Sequence, residues 1–292
     1  MYELIQLSEH DYYVSGPTNI GIIKVSENDV VLIDSGGDKE PAKKVLKHLA
    51  ANNWNLKAIY NTHSHADHIG GNKLLQERTG CKAYLCGVEC TFTNVPSLET
   101  AVLYGGNPYK DLLNKFLLAE KSCAEELKEE NVPEGWKIIH LPGHCYEMVG
   151  FITADGNAFI GDSVSSKLTI EKYGLTYLWD YKKCLESIEV LKTLKAKKFI
   201  PAHAEVCDDI TELADYNINA TNKVVDFILQ TCSQPCSFED LLQKIFIAYN
   251  MRMNPMQYVL IGSTVRSYIS GLYAENKLAP ECSDQMMYWK TV

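Results

Sequence analysis

Long apolar runs are missing from this chain. Nowhere in its 292 residues does a stretch approach the roughly 20 apolar positions that span a bilayer, so no membrane-spanning helix is expected. The opening MYELIQLSEHDYY has neither the basic start nor the apolar core of a secretory signal, so the expected compartment is the cytoplasm. Positive charge is scarce as well. There are 28 Lys and Arg against 37 Asp and Glu, and the net of −9 argues against broad attraction to nucleic acid or to an anionic membrane. Ten cysteines are present, but without an export signal they read as free buried thiols and not as a disulfide framework. Cys86/Cys90 and Cys232/Cys236 are spaced CxxxC, yet no histidine pair follows at zinc-finger spacing, so they do not predict a structural metal site. With 46% hydrophobic and 22% charged residues, the composition is that of a soluble globular protein. The length allows one large domain, or one domain with an appendage.

What is present is first of all an alternation. IGIIKVS and DVVLIDSG read as strands bounded by Gly, Asn and Asp. GGDKEPAKKVLKHLAANNW follows as a helix, with Ala42, Val45, Leu46 and Leu49 at helical spacing. LKAIYN is a strand, GGNKLLQERTG a helix ending at Gly80, and KAYLC a strand. This pattern predicts an α/β layered core. Residues 96–132 break it. SLETAVLY and YKDLLNKFLLAEKSCAEELKEE are helical in pattern and show no strand, which predicts a helical insertion. WKIIHL, EMVGFITAD and NAFIGD resume the strands, with an Asp-Gly hairpin turn in TADGNAF. A helix over DYKKCLESIEVLKTLK and a strand in KKFIPAH complete residues 1–204.

Residues 205–292 predict a helical appendage. DDITELADYNINATNKVVDFILQT is one helix, SFEDLLQKIFIAYN begins a second on the capping spacing of Ser237 and Asp240, and PMQYVLIGSTVRSYISGLYAENK is a third. QMMYWKTV reads as the only strand after residue 205. Three helices and a terminal strand fit a small helical unit, with a winged-helix-like form as one option. No repeat or low-complexity linker separates it, so it is expected to pack on the core.

The densest chemical signal is NTHSHADHIGG, residues 61–71. His63, His65, Asp67 and His68 fall within six residues, and the chain has only eight histidines. Residues i and i+2 of an extended segment can point the same way, so His63 and His65 can face one ion while Asp67 and His68 face a second beside it. Imidazole nitrogen and carboxylate oxygen suit Zn²⁺, and also Fe or Mn. Clusters of this kind mark metal or catalytic sites. One turn cannot close two coordination spheres, and three further candidates follow strands: His144 in HLPGHCYE, Asp162 in FIGDSV and His203 in FIPAHAE.

HSHADH with downstream PGHC, GDS and PAH resembles the metallo-β-lactamase-fold hydrolases, over about residues 20–203. The resemblance implies an α/β fold, an αββα sandwich with a dinuclear metal site at one edge. It implies that His63, His65 and His144 hold the first ion and that Asp67, His68 and His203 hold the second, with Asp162 bridging. It also places Asp34, in VLIDSGGD, behind the cluster loop as a support, a role worth about 10–100-fold in metal affinity. The expected cofactor is two divalent ions, Zn²⁺ ahead of Fe or Mn. Metal binding lowers the pKa of a water from about 15.7 to near 7, and the resulting hydroxide attacks an electrophilic carbonyl or phosphorus. Asp67 is the expected catalytic residue, orienting the nucleophile.

Within the superfamily the pattern resembles the glyoxalase II branch, because the family's bridging position holds Asp162 and both His65 and His68 are kept. The leading expectation is therefore hydrolysis of a small thioester or ester. A phosphodiesterase or ribonuclease is the second reading, an iron oxygenase of the persulfide type the third, and a binding-only protein the last. The short stretch from Asp162 to His203 leaves no room for the inserted domain of the branch that acts on RNA ends. The motifs GHC and PAHAE depart from the branch without removing a ligand. Cys145 reads either as a small space-filling side chain or as a pocket thiol. Tyr104 and Tyr109, in the insertion, are candidate substrate contacts if that segment forms a lid. The appendage weakly resembles that of β-lactamase-like 2 proteins. From Glu205 to Val292 it carries eleven Asp/Glu against six Lys/Arg, a poor nucleic-acid surface. The expected partner is a small-molecule substrate, with neither nucleic acid nor membrane.

Overall fold

The computed structural model describes residues 2–292. Seven strands make the first sheet in sequence order: β1 (Leu4–Gln6), β2 (Asp11–Val14), β3 (Ile20–Lys24), β4 (Asp29–Ile33), β5 (Asn55–Tyr60), β6 (Lys82–Leu85) and β7 (Glu125–Glu126). The first four form an antiparallel meander, and β4 to β7 run parallel. Parallel neighbours need crossovers. α1 (Lys39–Ala51) joins β4 to β5, α2 (Ala66–Ile69) and α3 (Asn72–Thr79) join β5 to β6, and α4 (Gly87–Asn94) and α5 (Ser97–Tyr104) lie between β6 and β7.

The second sheet holds β8 (Lys137–His140), β9 (Val149–Ile152), β10 (Ala158–Phe159) and β11 (Phe199–Ile200), in the order β11-β10-β9-β8. The crossover from β10 to β11 carries α6 (Lys167–Tyr173) and α7 (Tyr181–Thr193).

Alternation along the strands explains the layers. In β4, Val30 and Leu32 pack outward with Val45 and Leu49 of α1, while Val31 and Ile33 face inward. The inward set meets Val149, Phe151, Phe159 and Ile200 of the second sheet. A strand buried on both faces is apolar throughout, as DVVLI is after its first residue. The outer face of the second sheet packs on α7 and on the C-terminal helices through Leu141, Ile188, Leu191, Val224 and Val265. The order is helix, sheet, sheet, helix, the αββα arrangement expected.

The C-terminal region continues that last layer. It runs α8 (Thr211–Thr231), β12 (Cys236–Ser237), α9 (Phe238–Ala248), α10 (Pro255–Ala274), β13 (Leu278–Ser283) and β14 (Met286–Thr291). Ser237 accepts from Asp240 N, the cap that the sequence predicts, and Asn254 accepts from Gln257 N with Pro255 in the first turn. The strand content exceeds the expectation. β14 pairs with both β13 and β12, so three strands stand where one was predicted.

The insertion also departs from its helical pattern. SLETAVLY forms α5, but the stretch after it holds only short 3-10 turns and β7, with no long helix. Tertiary ties override the helical periodicity. Leu112 is fully buried, Glu120 bridges Lys39 and Lys73, and the Gln76 side chain pairs with both backbone groups of Cys123.

Candidate metal centre

Asp34 follows β4 in the left-handed region, at φ 62°, a conformation that Asp tolerates better than most residues. Its carboxylate thereby reaches across to the loop after β5. It accepts from Thr62 N at 2.8 Å and Thr62 Oγ1 at 2.9 Å, and it meets His68 Nδ1 at 2.8 Å. The loop and α2 then aim His63, His65, Asp67 and His68 at one edge of the sandwich. Two glycines let the following helix approach. A Cβ on Gly70 would stand 2.3 Å from Gly37 O, and one on Gly71 2.3 Å from Ser35 O.

The second sheet delivers the remaining residues to the same edge: His144 after β8, Asp162 after β10 and His203 after β11. All seven predicted donors come together. His65 Nδ1 lies 3.0 Å from His63 Nε2 and 2.8 Å from His144 Nε2. Asp162 Oδ1 lies 3.2 Å from His68 Nε2, and its Oδ2 lies 3.3 Å from His203 Nε2 and 3.5 Å from His144 Nε2. Asp67 Oδ2 lies 3.1 Å from His203 Nε2. Among the described residues three trios could each hold an ion: His63, His65 and His144; His63, His68 and Asp162; Asp67, His68 and His203.

The outer ring nitrogens are held from behind. His63 Nδ1 faces Thr62 Oγ1 at 3.0 Å, His144 Nδ1 the Tyr177 carbonyl at 3.2 Å, and His203 Nδ1 the Pro17 carbonyl at 2.6 Å. Such partners fix ring orientation and tautomer. His65 turns the other way, with Nδ1 inward and Nε2 3.5 Å from Glu99 Oε1. Glu99 lies on α5 and was not predicted, because a single Glu in a helical pattern carries no signal. Ser64 ties it to Glu89, which is fully buried: Ser64 Oγ bonds Glu89 Oε2 at 2.6 Å and Glu99 Oε1 at 3.1 Å.

Two buried atoms, His68 Nε2 and Asp162 Oδ1, have no hydrogen-bond partner although they stand 3.2 Å apart. Unpaired buried polar atoms are costly, and a shared cation satisfies both. Electrostatics agree. Burial, then the neighbouring imidazoles, hold His63 well below its ordinary value, and burial first of all takes His65 and His144 down to about 4. Those three are neutral, as ligands must be. Burial works the same way on His68 and His203, but carboxylates outweigh it. Asp162 and Asp34 lift His68 to about 10, and Asp162 lifts His203 to about 12. Burial opposes ionisation of Asp67 and Asp162 too, yet the facing imidazoles hold both below the carboxylate range. A field that retains protons this strongly favours a divalent cation in their place.

The three predicted substrate contacts fare differently. Cys145 is buried beside the site, and burial, with Glu89 nearby, pushes its thiol well up, so it remains protonated. Tyr104 and Tyr109 do not line the cavity beside the donors. They stack edge-on at 5.0 Å, and Tyr109 Oη donates to the Pro255 carbonyl at 2.6 Å, tying the insertion to α10. Val102, Leu103, Phe116 and Leu117 of the same insertion line the cavity instead, across from Tyr177 and Trp179.

An αββα sandwich with His and Asp donors converging at its edge defines a metallohydrolase architecture. The chain belongs to the metallo-β-lactamase superfamily, whose family model matches residues 14–203. A hydroxyacylglutathione hydrolase from Pelagibacter ubique is 33% identical over 130 residues, 44% of this chain and 45% of that protein. This chain thus spans about half the length of that relative. A β-lactamase-like protein 2 homolog from Drosophila melanogaster is 22% identical over 269 residues, 88% of this chain and 83% of that one. A β-lactamase domain protein from Burkholderia ambifaria shares the fold at a TM-score of 0.76 and 15% identity, covering 99% of this chain and 94% of that chain. Among the described residues no helix is long and apolar enough to cross a membrane.

Proposed function

We propose that this chain hydrolyses small thioesters or related esters with two divalent ions, Zn²⁺ ahead of Fe or Mn. The observation that carries the reading is the convergence of seven donor residues around two orphaned buried atoms, at the meeting of two cavities. In this reading His63, His65 and His144 hold one ion, Asp67, His68 and His203 hold the other, and Asp162 lies between them. Two bound ions supply Lewis acidity and lower the pKa of a water toward about 7.

The chain's own side chains do the rest. Asp67 is half-exposed and faces both cavities, so its carboxylate is placed to orient the attacking water. Asp34 and Thr62 keep His63 and His68 from turning. The second cavity has Lys172 and Arg252 in its lining together with Asp67 and His203, and their charge suits a thiolate leaving group. The relatives named hydroxyacylglutathione hydrolase support the thioester class.

One observation favours a second reading, a phosphodiesterase or ribonuclease. The C-terminal connectivity of helix, strand, two helices and hairpin is winged-helix-like. The acid surplus of that region weighs against nucleic acid.

The test combines metal analysis with a substrate panel. Two ions per chain and thioester turnover well above RNA cleavage are expected. Metal lost from His65→Ala and Asp162→Ala supports the ligand assignment, and metal retained in both overturns it. Cleavage of RNA with every thioester left intact shifts the conclusion to the second reading. One iron per chain points to the oxygenase.

A further inference from the structure

The apolar cavity holds information that the donor set does not. Its volume is about 200 Å³, and His65, Asp67, His144 and Asp162 form one end. Phe92, Val102, Leu103, Phe116, Leu117 and Trp179 supply most of the apolar wall, with Glu99, Thr100 and Tyr177 among them, and no Lys or Arg lines it. Trp179 is fixed to the site itself, because its backbone N–H donates to the His144 carbonyl at 3.2 Å. The Tyr146 ring lies 3.9 Å from Trp179, inclined by 30°, and 5.9 Å from Phe92. The corner so formed offers π faces and edges within reach of a planar guest. Phe116, at the rim, is 70% exposed, an apolar surface that a bound guest would cover.

Resting on the thioester reading above, we infer that this cavity selects the acyl group, and that the acyl group is compact and apolar, aromatic or branched, of about one ring in size. An apolar cavity of roughly 150 Å³ takes up benzene, so this one has room for a ring and its linking carbon. The carbonyl then lies at the end where the donor residues converge. Water adds its oxygen to the acyl carbon, the carbon–sulfur bond breaks, and a proton ends on the departing thiol. Charged acyl groups are excluded. A carboxylate on the acyl group would find no cationic side chain in the lining to pair with. A hydroxyacyl group that turned its hydroxyl toward the Leu and Phe side chains, away from Thr100, Tyr146 and Tyr177, would leave a polar group unpaired, which is costly.

The test uses the full chain loaded with zinc and five thioesters of one uncharged thiol, N-acetylcysteamine. The acyl groups are acetyl, lactoyl, succinyl, isobutyryl and phenylacetyl. Isobutyryl and phenylacetyl are expected to exceed acetyl and lactoyl in kcat/KM by about tenfold or more, the scale of one or two methylenes in an apolar pocket. Succinyl is expected to be the slowest. Leu103→Trp, which fills the cavity, should lower the phenylacetyl-to-acetyl ratio about tenfold. Phe116→Ala, at an exposed position that folding does not need, should lower it in the same direction. A binding arm uses free phenylacetate, acetate and lactate, read by Trp179 fluorescence with Trp179→Phe as the blank. Preference for lactoyl or succinyl, or a ratio unmoved by both variants, overturns the inference and leaves the hydrolase reading standing. If no thioester is cleaved, the thioester reading falls and the binding arm decides the pocket: phenylacetate bound over lactate supports it, and the reverse overturns it.

Discussion

The carboxylate of Asp34, just past β4, and the Nδ1 of His68, in α2, meet at 2.8 Å. The same carboxylate holds the backbone and the hydroxyl of Thr62, so one side chain sets both the loop and the ring. Asp34→Ala leaves three buried groups without their acceptor and frees His68 to rotate. Metal affinity should fall about 10–100-fold. Competition with a chromogenic chelator measures it. An unchanged affinity would show that His68 is oriented by other contacts.

Gly70 in the cluster loop and Gly37 in the facing loop after β4 give a contrast across one contact. Gly70→Ala puts a methyl 2.3 Å from a backbone carbonyl oxygen, whereas the nearest neighbour of a Cβ on Gly37 is Asp67 Cα at 3.4 Å, an ordinary contact. The first change should destabilise by about 1–3 kcal/mol and the second by well under 1. Thermal melts of the two variants should separate by several degrees, with Gly70→Ala the lower.

Loading the site should release protons. Asp162 and its neighbours keep His68 and His203 protonated to about 10 and about 12, while burial keeps His63, His65 and His144 neutral. At pH 7 a cation bound through His68 and His203 displaces about two protons, and affinity rises with pH. For chelated protein the sign is opposite. A raised imidazole contributes stability that is fully present below its unfolded value of 6.5 and is lost as pH rises through about 10 and beyond. Calorimetry in buffers of different ionisation enthalpy counts the protons. A count of zero would mean that His68 and His203 do not bind the ion.

The donor residues were legible because metal sites concentrate rare residue types at strand ends. Eight histidines in the whole chain make three in one turn conspicuous, and His144, Asp162 and His203 each follow a readable strand. Asp34 was readable from its motif. Glu99 was not, since its function comes from α5 folding back over His65, a contact 34 positions apart in sequence. The misread helix after Tyr109 has the same origin. Its pattern is helical, but ion pairs to Lys39 and Lys73 and the burial of Leu112 are long-range and invisible to periodicity. The strands β12 and β13 were missed because β12 spans only two residues and β13 carries a proline and mostly exposed side chains.

Leu112 shows how much the insertion depends on one anchor. It is fully buried in a short 3-10 turn packed beside α10, while Leu113 and Phe116 just after it are exposed. Leu112→Ala should cost about 2–5 kcal/mol if the insertion unfolds only with the whole protein. If the insertion opens on its own, the melt should move less, and protease should instead cut near residues 113–124. Either way the wall made by Leu117 and Phe116 loosens, so kcat/KM for the bulkier thioesters should drop more than for acetyl. Limited proteolysis and a melt on the same sample separate the two modes. A variant that matches the parent in both would mean that Tyr109, through its bond to the Pro255 carbonyl, holds the insertion without Leu112.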